Sequence, residues 1–390
     1  MDALTTPSNW QKVRLGDIAE INPPTIIPNV FYYIDLESVE KGQLLNKQLM
    51  TKNKAPSRAR RLLSKNDILY QLVRPYQRNN YFFTLNGNYV ASTGYAQIRT
   101  LQNPSFLYFA LLSNYFVNAV LDRCEGTSYP AISSNELKKC EVILPPLNEQ
   151  IAIANILSDV DRYLYSLDAL ILKKEGVKKA LSFELLSQRK RLKGFNQAWQ
   201  KVKVKDFGII ITGSTPLTQI SEYWNGTISW ITPTDINDNK DIFNSERKIT
   251  QKGLDTIRMI PKNSVLVTCI ASIGKNAILR VNGACNQQIN AIIPNKDFNA
   301  DFIYYLMENN KQYLLGKAGV TATYIISKQV FEEIDFFVPK DLNEQAAIAN
   351  VLSGLDSEII SLKNKKRQFE NIKKALNHDL MSAKIRVLKK

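Results

Sequence analysis

The chain has 390 residues, of which 51 are Lys or Arg and 36 are Asp or Glu, giving a formal net charge of +15 and a pI near 9.4. No apolar run approaches the roughly 20 residues of a membrane-spanning helix, and the N-terminal residues lack the apolar core of a signal peptide. The composition disfavours a membrane protein and favours a cytoplasmic protein with a polyanionic partner.

A globular segment is predicted over residues 1–146, and its most distinctive part is a basic stretch from Lys41 to Arg78. Ten basic residues and one acid lie there, interleaved with Tyr, Gln and Asn. A charge run is commonly just a solvated surface, but this mixture suits contacts with phosphates and base edges, so we favour nucleic acid as the ligand. The candidate binding residues are Arg58, Arg60, Arg61, Arg74, Tyr76, Gln77, Arg78, Asn79 and Asn80, with Thr127, Ser128 and Tyr129 as a second choice.

A long helix is predicted over 147–194, and its counterpart over 342–390. The four letters Leu-Asn-Glu-Gln at 147–150 recur at 342–345, an offset of 342 − 147 = 195 residues, and the Ala-Ile-Ala-Asn that follows recurs at the same offset. Repeats of roughly 20–50 residues indicate solenoids. This period is half the chain, so the sequence predicts a duplicated domain.

Each predicted helix has an apolar track with the alternating three- and four-residue spacing of a coiled-coil seam. The tracks are Leu157, Val160, Leu164, Leu167, Ile171, Lys174, Lys178, Leu181 and Leu185, and Leu352, Leu355, Ile359, Leu362, Lys366, Phe369, Lys373, Leu376 and Leu380. We predict that the two helices pair with each other; the alternative is that each packs on its own globular half. Asn148 and Asn343 are the predicted N-caps.

A second globular segment is predicted over 195–341. It opens as the first does, with Trp-Gln-Lys-Val at 199–202 matching 10–13, and then diverges. The candidate binding residues are Ser214, Thr215, Thr232, Thr234, Asp235, Lys275, Asn276, Gln287, Gln288, Thr321, Thr323 and Tyr324. Polar side chains of this kind could equally satisfy backbone groups inside an α/β domain, so only the set as a whole indicates an interface.

The expected fold is therefore α/β (α+β) globular domains in two copies, separated by two long antiparallel coiled-coil helices, with an internal pseudo-twofold repeat. The predicted segments are 1–146, 147–194, 195–341 and 342–390.

Residues suited to catalysis are scarce. His378 is the only histidine and falls in the second long helix, where we expect a structural or solvent-facing role, so His-based nucleophilic sites are disfavoured. The cysteines lack CxxC spacing and indicate reduced, partly buried thiols rather than a zinc site; they are Cys124, Cys140, Cys269 and Cys285. No phosphate-binding loop or dinucleotide fingerprint is present. We expect neither a catalytic nor a metal site.

Two fragments resemble pieces of DNA-modifying enzymes. The range Asn22–Thr25 resembles the Asn-Pro-Pro-aromatic motif of DNA adenine methyltransferases, but threonine cannot stack on a flipped base, and we interpret the fragment as a loop. Glu332, Glu333 and Asp335 could belong to a nuclease-like cluster, but at a domain edge they are indistinguishable from surface charge.

The chain resembles the specificity (S) subunits of type I restriction-modification systems over essentially its whole length. Pro145–Gln150 and Pro339–Gln345 resemble the Pro-Leu-Pro-x-Glu-Gln start of each central helix in that family. Further matches are Asp67–Leu69, Trp199–Val202, Gly213–Pro216, Tyr223-Trp224, Trp230–Thr232, Ser272–Lys275 and Cys285–Asn290. The first half departs from the pattern, with Leu72–Tyr76 in place of a Ser-x-Gly-Lys turn, so the two target-recognition domains belong to different subtypes.

The resemblance implies a non-catalytic reader of double-stranded DNA, in which each globular domain reads one half of a bipartite, asymmetric site and the helices set the spacing. Two methyltransferase (M) subunits would dock on the scaffold and motor-nuclease (R) subunits would join them. S-adenosylmethionine, ATP and Mg²⁺ would belong to those partners. Candidate docking residues on exposed helix faces are Asn148, Glu149, Gln150, Asn155, Asn343, Glu344, Gln345 and Asn350, although capping and helix packing could explain the same residues.

Two other functions stay open from the sequence. The chain could be a stand-alone DNA-binding regulator with two heads, or, with less support, a self-sufficient DNA methyltransferase or nuclease.

Overall fold

The computed structural model describes residues 7–237, 239–320 and 323–387. They divide into two units, and the division falls within both long helices. One unit comprises the chain up to Ala169 together with the part from Asn364 onward, and the other is Leu170–Lys363. Each unit combines small sheets with helices, which confirms the prediction of an α/β fold in two copies.

The first unit is built from short strands and helices that precede the first long helix. Its strands are β1 (Gln11–Arg14), β2 (Ala19–Ile21), β3 (Val30–Ile34), β4 (Val39–Glu40), β5 (Gln43–Leu44), β6 (Gln48–Thr51), β7 (Ala59–Leu62), β8 (Ile68–Gln71), β9 (Tyr81–Phe82), β10 (Tyr89–Ser92), β11 (Tyr95–Thr100) and β12 (Glu141–Leu144). Its helices are α1 (Leu15–Ile18), α2 (Pro104–Leu111), α3 (Asn114–Leu121), α4 (Ser134–Lys139) and the start of α5 (Leu147–Leu186).

Two four-stranded sheets and two strand pairs, β1-β12 and β4-β5, organise this unit. Antiparallel strands in the order β2-β11-β8-β9 form one sheet, and β6-β3-β10-β7 form another in which β3 and β10 run parallel. Strand β1 pairs with β12, so the first and last strands of the unit are joined. Strands β8 and β10 are buried at every position, as expected for short runs covered on both faces.

The second unit has corresponding elements. Its strands are β13 (Trp199–Lys203), β14 (Gly208–Thr212), β15 (Trp224–Ile231), β16 (Asp241–Ile242), β17 (Lys248–Ile249), β18 (Ser264–Thr268), β19 (Asn276–Leu279), β20 (Gly283–Cys285), β21 (Ile289–Pro294), β22 (Gly319–Val320), β23 (Tyr324–Ile325) and β24 (Asp335–Pro339). Its helices are α6 (Gln251–Leu254), α7 (Ala300–Asn309), α8 (Lys311–Leu315), α9 (Lys328–Glu333) and the start of α10 (Leu342–Met381).

The strand order of the second unit repeats that of the first. The sheet β14-β21-β18-β19-β16 matches β2-β11-β8-β9 with one strand added, β17-β15-β20 contains the equivalent parallel pair, and β13 pairs with β24 as β1 does with β12. Caps are repeated as well: Asn103 and Asn299 accept from the backbone at the starts of α2 and α7, and Ser133 and Ser327 at those of α4 and α9. The topology is therefore duplicated even where the two halves differ in sequence.

The long helices α5 and α10 have 40 residues each and continue through Gly176 and Gly354. Every position of the two predicted apolar tracks is buried or partly buried. Ion pairs join the helices within each unit: Lys373–Asp161 and Lys366–Asp168 in the first, Lys178–Asp356 and Lys174–Glu358 in the second. From one ion pair to the next, the residue number increases along α5 and decreases along α10. The two helices therefore pack antiparallel within each unit.

The first turns of each long helix pack on the globular part of their own unit. Ile153, Ala154 and Leu157 belong to the core of the first unit, and Ile348, Ala349 and Leu352 to that of the second. Each long helix thus packs on its own globular part in its first turns and on the other long helix further along.

The predicted N-caps are wrong. Helix α5 begins at Leu147 and α10 at Leu342, which places Asn148 and Asn343 inside the first turn. The carboxylate of Asp341 accepts from the backbone N–H of Asn343 at 2.8 Å, so the capping acceptor before α10 lies two residues earlier than predicted.

Among the described residues, no single helix is long and apolar enough to cross a membrane. Helices α2 and α3, bent by 60° at their junction, reach that length and composition only together. Their apolar side chains lie in the core of the first unit.

Candidate DNA interface

A buried carboxylate lies at the start of α5. Glu149 is 2% exposed and accepts from Trp10 Nε1 at 3.1 Å and from Nε and Nη2 of Arg386 at 2.6 and 3.0 Å. The neighbouring Gln150 donates to the Pro145 carbonyl at 2.8 Å and accepts from a backbone N–H at the start of α2. The buried side chains of Glu149 and Gln150 therefore have hydrogen-bond partners inside the first unit.

The second unit repeats this arrangement. Glu344, 1% exposed, accepts from Trp199 Nε1 at 3.2 Å and from Nε and Nη2 of Arg191 at 3.0 and 2.6 Å. Gln345 donates to the Pro339 carbonyl at 3.1 Å. In each unit the Trp–Glu–Arg network joins the start of the first strand (Trp10 directly precedes β1 and Trp199 begins β13), the start of one long helix and the residues that follow the other long helix.

The expected exposure of the repeated helix motif is wrong for half of its residues. Glu149, Gln150, Glu344 and Gln345 are buried, because the networks above take up their polar groups. Four residues are exposed: Asn148, Asn155, Asn343 and Asn350. The candidate docking surface is reduced to these asparagines.

In the first unit, the loop after β8 places Arg74 against Tyr129. The Arg74 backbone N–H donates to the Pro130 carbonyl at 2.7 Å, and its backbone is left-handed with φ 54°. The guanidinium carbon lies 4.2 Å from the centre of the exposed Tyr129 ring. The structure thus brings together the two sets of candidates predicted in this segment, and Thr127 and Ser128 lie exposed on the same loop as Tyr129.

The guanidinium of Arg78 is used inside the unit. Its Nη1 donates to the Leu112 carbonyl at 3.0 Å and its Nη2 to Asn114 Oδ1 at 2.7 Å. Burial lowers the pKa of Arg78 below its ordinary value. The Arg78 side chain therefore connects the loop after β8 to the residues at the junction of α2 and α3.

The polar residues around Arg78 mostly satisfy one another. Asn80 is 2% exposed and accepts from the backbone N–H of Gln71 at 2.9 Å, so its prediction as a surface contact is wrong. The Gln71 side chain donates to Gln77 and accepts from the backbone of Asn79. Tyr76 and Gln77 are exposed at the tip of the loop, and Asn79 is half-buried.

The clustered arginines differ in burial. Arg58 and Arg60 are exposed, and Arg60 Nε donates to the Ser57 carbonyl at 2.8 Å. Arg61 lies on β7 and is half-buried; burial, and to a lesser degree the charge of Arg60, lower its pKa. The two exposed side chains are suited to contacts with phosphates.

In the second unit, candidates converge near the end of β18. Thr215 Oγ1 donates to Gln287 Oε1 at 2.6 Å. The Gln288 carbonyl accepts from the Cys269 backbone N–H at 2.8 Å, and the Tyr324 carbonyl accepts from that of Ala271 at 3.0 Å. The candidates on this surface are Ser214, Thr215, Lys275, Gln287, Gln288 and Tyr324.

Other candidates of the second unit are placed differently. Asp235 accepts from both N and Oγ1 of Thr232 at 2.8 Å, and Thr234 is exposed beside them. Asn276 is 3% exposed and donates to Glu308 at 3.0 Å, so it is wrongly predicted as a surface contact. Thr323 is exposed. Thr321 lies outside the described residues.

The loops after β8 and β18 are structural counterparts, as the family pattern indicated, and they share backbone contacts that the sequence did not predict. In the first unit, Val73 forms a bridge with Ala131 and the N–H of Arg74 donates to the Pro130 carbonyl. In the second, Ile270 and Ile325 form the bridge and the N–H of Ala271 makes the equivalent bond to Tyr324. Arg74 and Ala271 share a left-handed backbone, with φ 54° and 61°. The first half therefore keeps the backbone contacts at the start of this loop, although its sequence departs from the family turn.

Arg258 was missed as a candidate. It is exposed, its Nη1 donates to the Thr212 carbonyl at 3.2 Å and its backbone N–H to Ser214 Oγ at 3.4 Å. No local pattern in the sequence marks this arginine, because its proximity to Ser214 arises from contacts 44 residues apart.

The remaining reactive groups are placed as follows. Cys140, Cys269 and Cys285 are buried and Cys124 is half-buried; burial raises the pKa of Cys269 and of Cys285 to about 12. Among the described residues, no group of three His, Cys, Asp or Glu side chains is arranged to hold a metal ion. His378 is exposed on α10.

The two fragments with enzyme-like letters make internal contacts. Asn22 donates to Ser134 and accepts from the Gln97 backbone, within an irregular segment after β2, as the loop interpretation predicts. Glu333 pairs with Lys203 and Lys205, which lowers the pKa of its carboxyl to about 2.

A family model described as the type I restriction modification DNA specificity domain matches residues 7–174 and 196–371. The two matches cover most of the chain, which therefore belongs to this family. The predicted function is confirmed: the chain is a specificity subunit that provides DNA sequence recognition to a type I restriction-modification system.

Several curated relatives are specificity subunits of type I restriction enzymes. The MjaIX subunit of Methanocaldococcus jannaschii is 36% identical over 182 residues, which is 45% of this chain and 41% of that protein. The HindI subunit of Haemophilus influenzae is 24% identical over 85% of this chain and 90% of its own length. The MjaVIII subunit of M. jannaschii is 24% identical over 99% and 95%.

Solved structures share the fold. The S subunit of a type I restriction-modification system from M. genitalium superposes with a TM-score of 0.63 at 16% identity, covering 95% of this chain and 96% of that one. A chain from a study of complex assembly and conformational transition of the type I R-M system gives a TM-score of 0.59 at 20% identity, with 96% and 98% covered.

Proposed function

We propose that each unit is a target-recognition domain that reads one half of a bipartite, asymmetric double-stranded DNA site. The observation that carries this proposal is the pair of equivalent loops after β8 and β18, which share backbone hydrogen bonds and a left-handed residue but carry Arg74 in one unit and Ala271 in the other. The same backbone conformation at this position with different side chains suits the reading of two different half-sites by direct contacts to base edges.

The long helices are proposed to act as an antiparallel coiled-coil spacer related by a pseudo-twofold repeat, with segments at 1–146, 147–194, 195–341 and 342–390. The ion pairs support a pseudo-twofold relation, because Lys178–Asp356 and Lys373–Asp161 are the same pair shifted by 195 residues. A spacer of this kind would set the separation of the half-sites independently of the bases read.

The exposed asparagines are proposed to dock two identical methyltransferase subunits. Asn155 and Asn350 are repeated in both helices and exposed, and among the described residues their side chains make no hydrogen bond. Internal packing therefore does not account for their identity, whereas a partner that meets both copies would. Motor-nuclease subunits would join this complex; S-adenosylmethionine, ATP and Mg²⁺ would belong to the partners, and this chain would be a non-catalytic cytoplasmic subunit.

A domain exchange tests the proposal. Residues 1–146 are replaced by the corresponding domain of another family member, and methylated sites are mapped genome-wide with the co-expressed methyltransferase. We expect one half of the motif to change while the other half and the spacer stay the same. The reciprocal exchange of 195–341 is the matched control and should change the other half; a change of both halves in either exchange would overturn modular reading.

The rival functions predict different results. A stand-alone regulator would bind one DNA site tightly without a methyltransferase, whereas the proposed subunit should bind weakly until the methyltransferase joins. Transfer of label from S-adenosylmethionine to DNA by the purified chain alone would instead favour the self-sufficient enzyme.

A further inference from the structure

We propose that Arg74 reads a guanine in the half-site of the first unit, with the Tyr129 ring as its supporting platform, while Arg58 and Arg60 contact phosphates. This inference rests on the proposed function of the first unit as a target-recognition domain. It separates base-reading from phosphate-binding residues within one basic cluster.

The backbone of Arg74 is constrained on both sides. Its N–H donates to the Pro130 carbonyl at 2.7 Å, which ties its backbone to the loop that carries Tyr129. Its conformation is left-handed, with φ 54° and ψ 54°, although the following Pro75 favours an extended conformation at this position. Left-handed backbone is unfavourable for a residue with a side chain. Such strain persists where the fold over-determines it, and it is concentrated at functional sites.

The side chain of Arg74 is oriented without being used. The guanidinium carbon lies 4.2 Å from the Tyr129 ring centre, a cation–π contact that holds the guanidinium against the ring. Among the described residues, this guanidinium makes no hydrogen bond or ion pair, and its Nε is buried. The Nη groups therefore remain as donors for a ligand.

A guanidinium held in one position is better suited to a base edge than to a phosphate. Arginine reads guanine by donating two hydrogen bonds to O6 and N7, and both bonds depend on the plane of the guanidinium. A phosphate accepts from many directions, so exposed side chains such as those of Arg58 and Arg60 suffice there.

The other arginines of the cluster lack one or more of these features. Arg78 already donates to Leu112 and Asn114. Arg61 also has a buried Nε without a partner, but it lies within β7 and no aromatic ring stacks on its guanidinium among the described residues. Within this cluster, only Arg74 combines a backbone bond to the Tyr129 loop, a guanidinium held against an aromatic ring and Nη donors without an internal partner.

The second unit cannot use this contact. Ala271 lies at the position equivalent to Arg74, with φ 61° and the same backbone bond, and has no side-chain donor. The guanine preference is therefore expected in only one half of the motif.

The test uses the full chain in complex with its methyltransferase subunits and, as probe, a duplex library with randomised sequence. The wild-type motif is compared with the motifs of Arg74→Ala, Arg74→Lys and the matched control Arg60→Ala. Arg74→Ala should reduce discrimination for guanine at one position of one half-site by roughly 5- to 140-fold. Arg74→Lys keeps the charge but loses the planar fork, and should lose the same preference. Arg60→Ala should weaken all sequences alike and lower the salt slope by about 1.

Two further measurements sharpen the result. A probe with 7-deazaguanine at the affected position lacks the N7 acceptor and should bind the wild-type complex less well, while the Arg74→Ala complex should not distinguish it from guanine. Tyr129→Phe keeps the ring and should leave the motif unchanged, whereas Tyr129→Leu removes the platform and should reduce the guanine preference.

The outcomes separate this inference from the function on which it rests. If the wild-type complex selects no bipartite motif, the proposed function fails. If the motif is bipartite but Arg74→Ala leaves it unchanged, or weakens all sequences as Arg60→Ala does, only the assignment to Arg74 is overturned. Arg74→Lys is the control for a folding defect. Lysine retains the approximate length and the charge of the side chain, so this variant is expected to fold like the wild type.

Discussion

The two units have the same network at the start of their long helices and different side chains on the loops after their central strands. The Trp10–Glu149–Arg386 network of the first unit recurs as Trp199–Glu344–Arg191 in the second. The loop residue Arg74, by contrast, corresponds to Ala271. Buried and exposed parts of a duplicated fold are thus under different physical constraints.

The constraint on the buried network is electrostatic. A carboxylate that is almost fully buried needs its arginine, because loss of either member of the ion pair leaves an uncompensated charge, and it needs the tryptophan N–H to satisfy the remaining acceptor. The loop is constrained through its backbone, since the bonds at positions 74 and 271 use a main-chain N–H that any residue except proline supplies. The side chains on the loop can therefore differ between the units, whereas the residues of the buried network cannot.

The largest effect is expected from breaking the network in one unit. Glu344→Ala leaves Arg191 without its anion and should lower the free energy of unfolding of the second unit by about 3 kcal/mol. Hydrogen exchange should accelerate in Leu170–Lys363 and stay unchanged in the core of the first unit. Glu149→Ala should give the reverse pattern.

Glu358→Ala is the control for that prediction. Its partner Lys174 lies at the surface, with side-chain exposures of 30% for Lys174 and 45% for Glu358, so the cost should be below about 1 kcal/mol. Equal effects of Glu344→Ala and Glu358→Ala would show that burial does not distinguish the two pairs.

An intermediate effect is expected at Gly213, which allows close approach of two backbones. A Cβ there would lie 2.1 Å from the Asn286 carbonyl oxygen and 2.3 Å from that of Cys285. Gly213→Ala should destabilise the second unit by about 1–3 kcal/mol and degrade recognition of its half-site through the neighbouring Thr215–Gln287 contact. Thermal unfolding and motif mapping measure the two effects.

Gly176→Ala is a suitable control for Gly213→Ala. A Cβ at Gly176 meets nothing within 4 Å, so alanine in this helix interior should stabilise by about 0.5–1 kcal/mol. Destabilisation by both substitutions would contradict the steric explanation for Gly213.

The smallest effect is expected at the left-handed position of the second unit. Ala271→Gly removes a conformational cost of about 1–2 kcal/mol, offset by about 0.5–1 kcal/mol of glycine entropy, and should slightly raise the melting temperature. Gly274→Ala, at φ 79° in the same loop, should lower it. If Ala271→Gly were destabilising, the side chain of Ala271 would have a role that its exposure does not reveal.

The features predicted correctly are those encoded by local spacing and by the repeat. The tracks from Leu157 and Leu352 follow helical periodicity, and the identical motifs at 147–150 and 342–345 revealed the duplication. The burial of Glu149 was not predictable in this way, because its partner Arg386 lies 237 residues away. An exposed-looking polar motif is buried when distant residues provide its partners.

The loops were mispredicted for a related reason. Asn80 and Asn276 have the residue types of DNA contacts, but the backbone of Gln71 and the carboxylate of Glu308 use their amides inside the units. The equivalence of Arg74 and Ala271 rests on backbone hydrogen bonds to Pro130 and Tyr324. Backbone bonds do not require particular residue types, so the two loops have no residues in common that would reveal it. Composition indicated the type of ligand but did not separate supporting residues from residues that face it.

The division of the chain between the units has a consequence for biosynthesis. Leu170–Lys363 is continuous, whereas the first unit needs residues on both sides of it, including Arg386 as partner of Glu149 and Leu380 in its core. At roughly 5–20 residues per second, the ribosome takes on the order of tens of seconds to travel from Glu149 to Arg386. We expect the later-encoded lobe to mature first during translation, while the earlier one waits, incomplete and chaperone-accessible, for the final stretch of polypeptide to emerge.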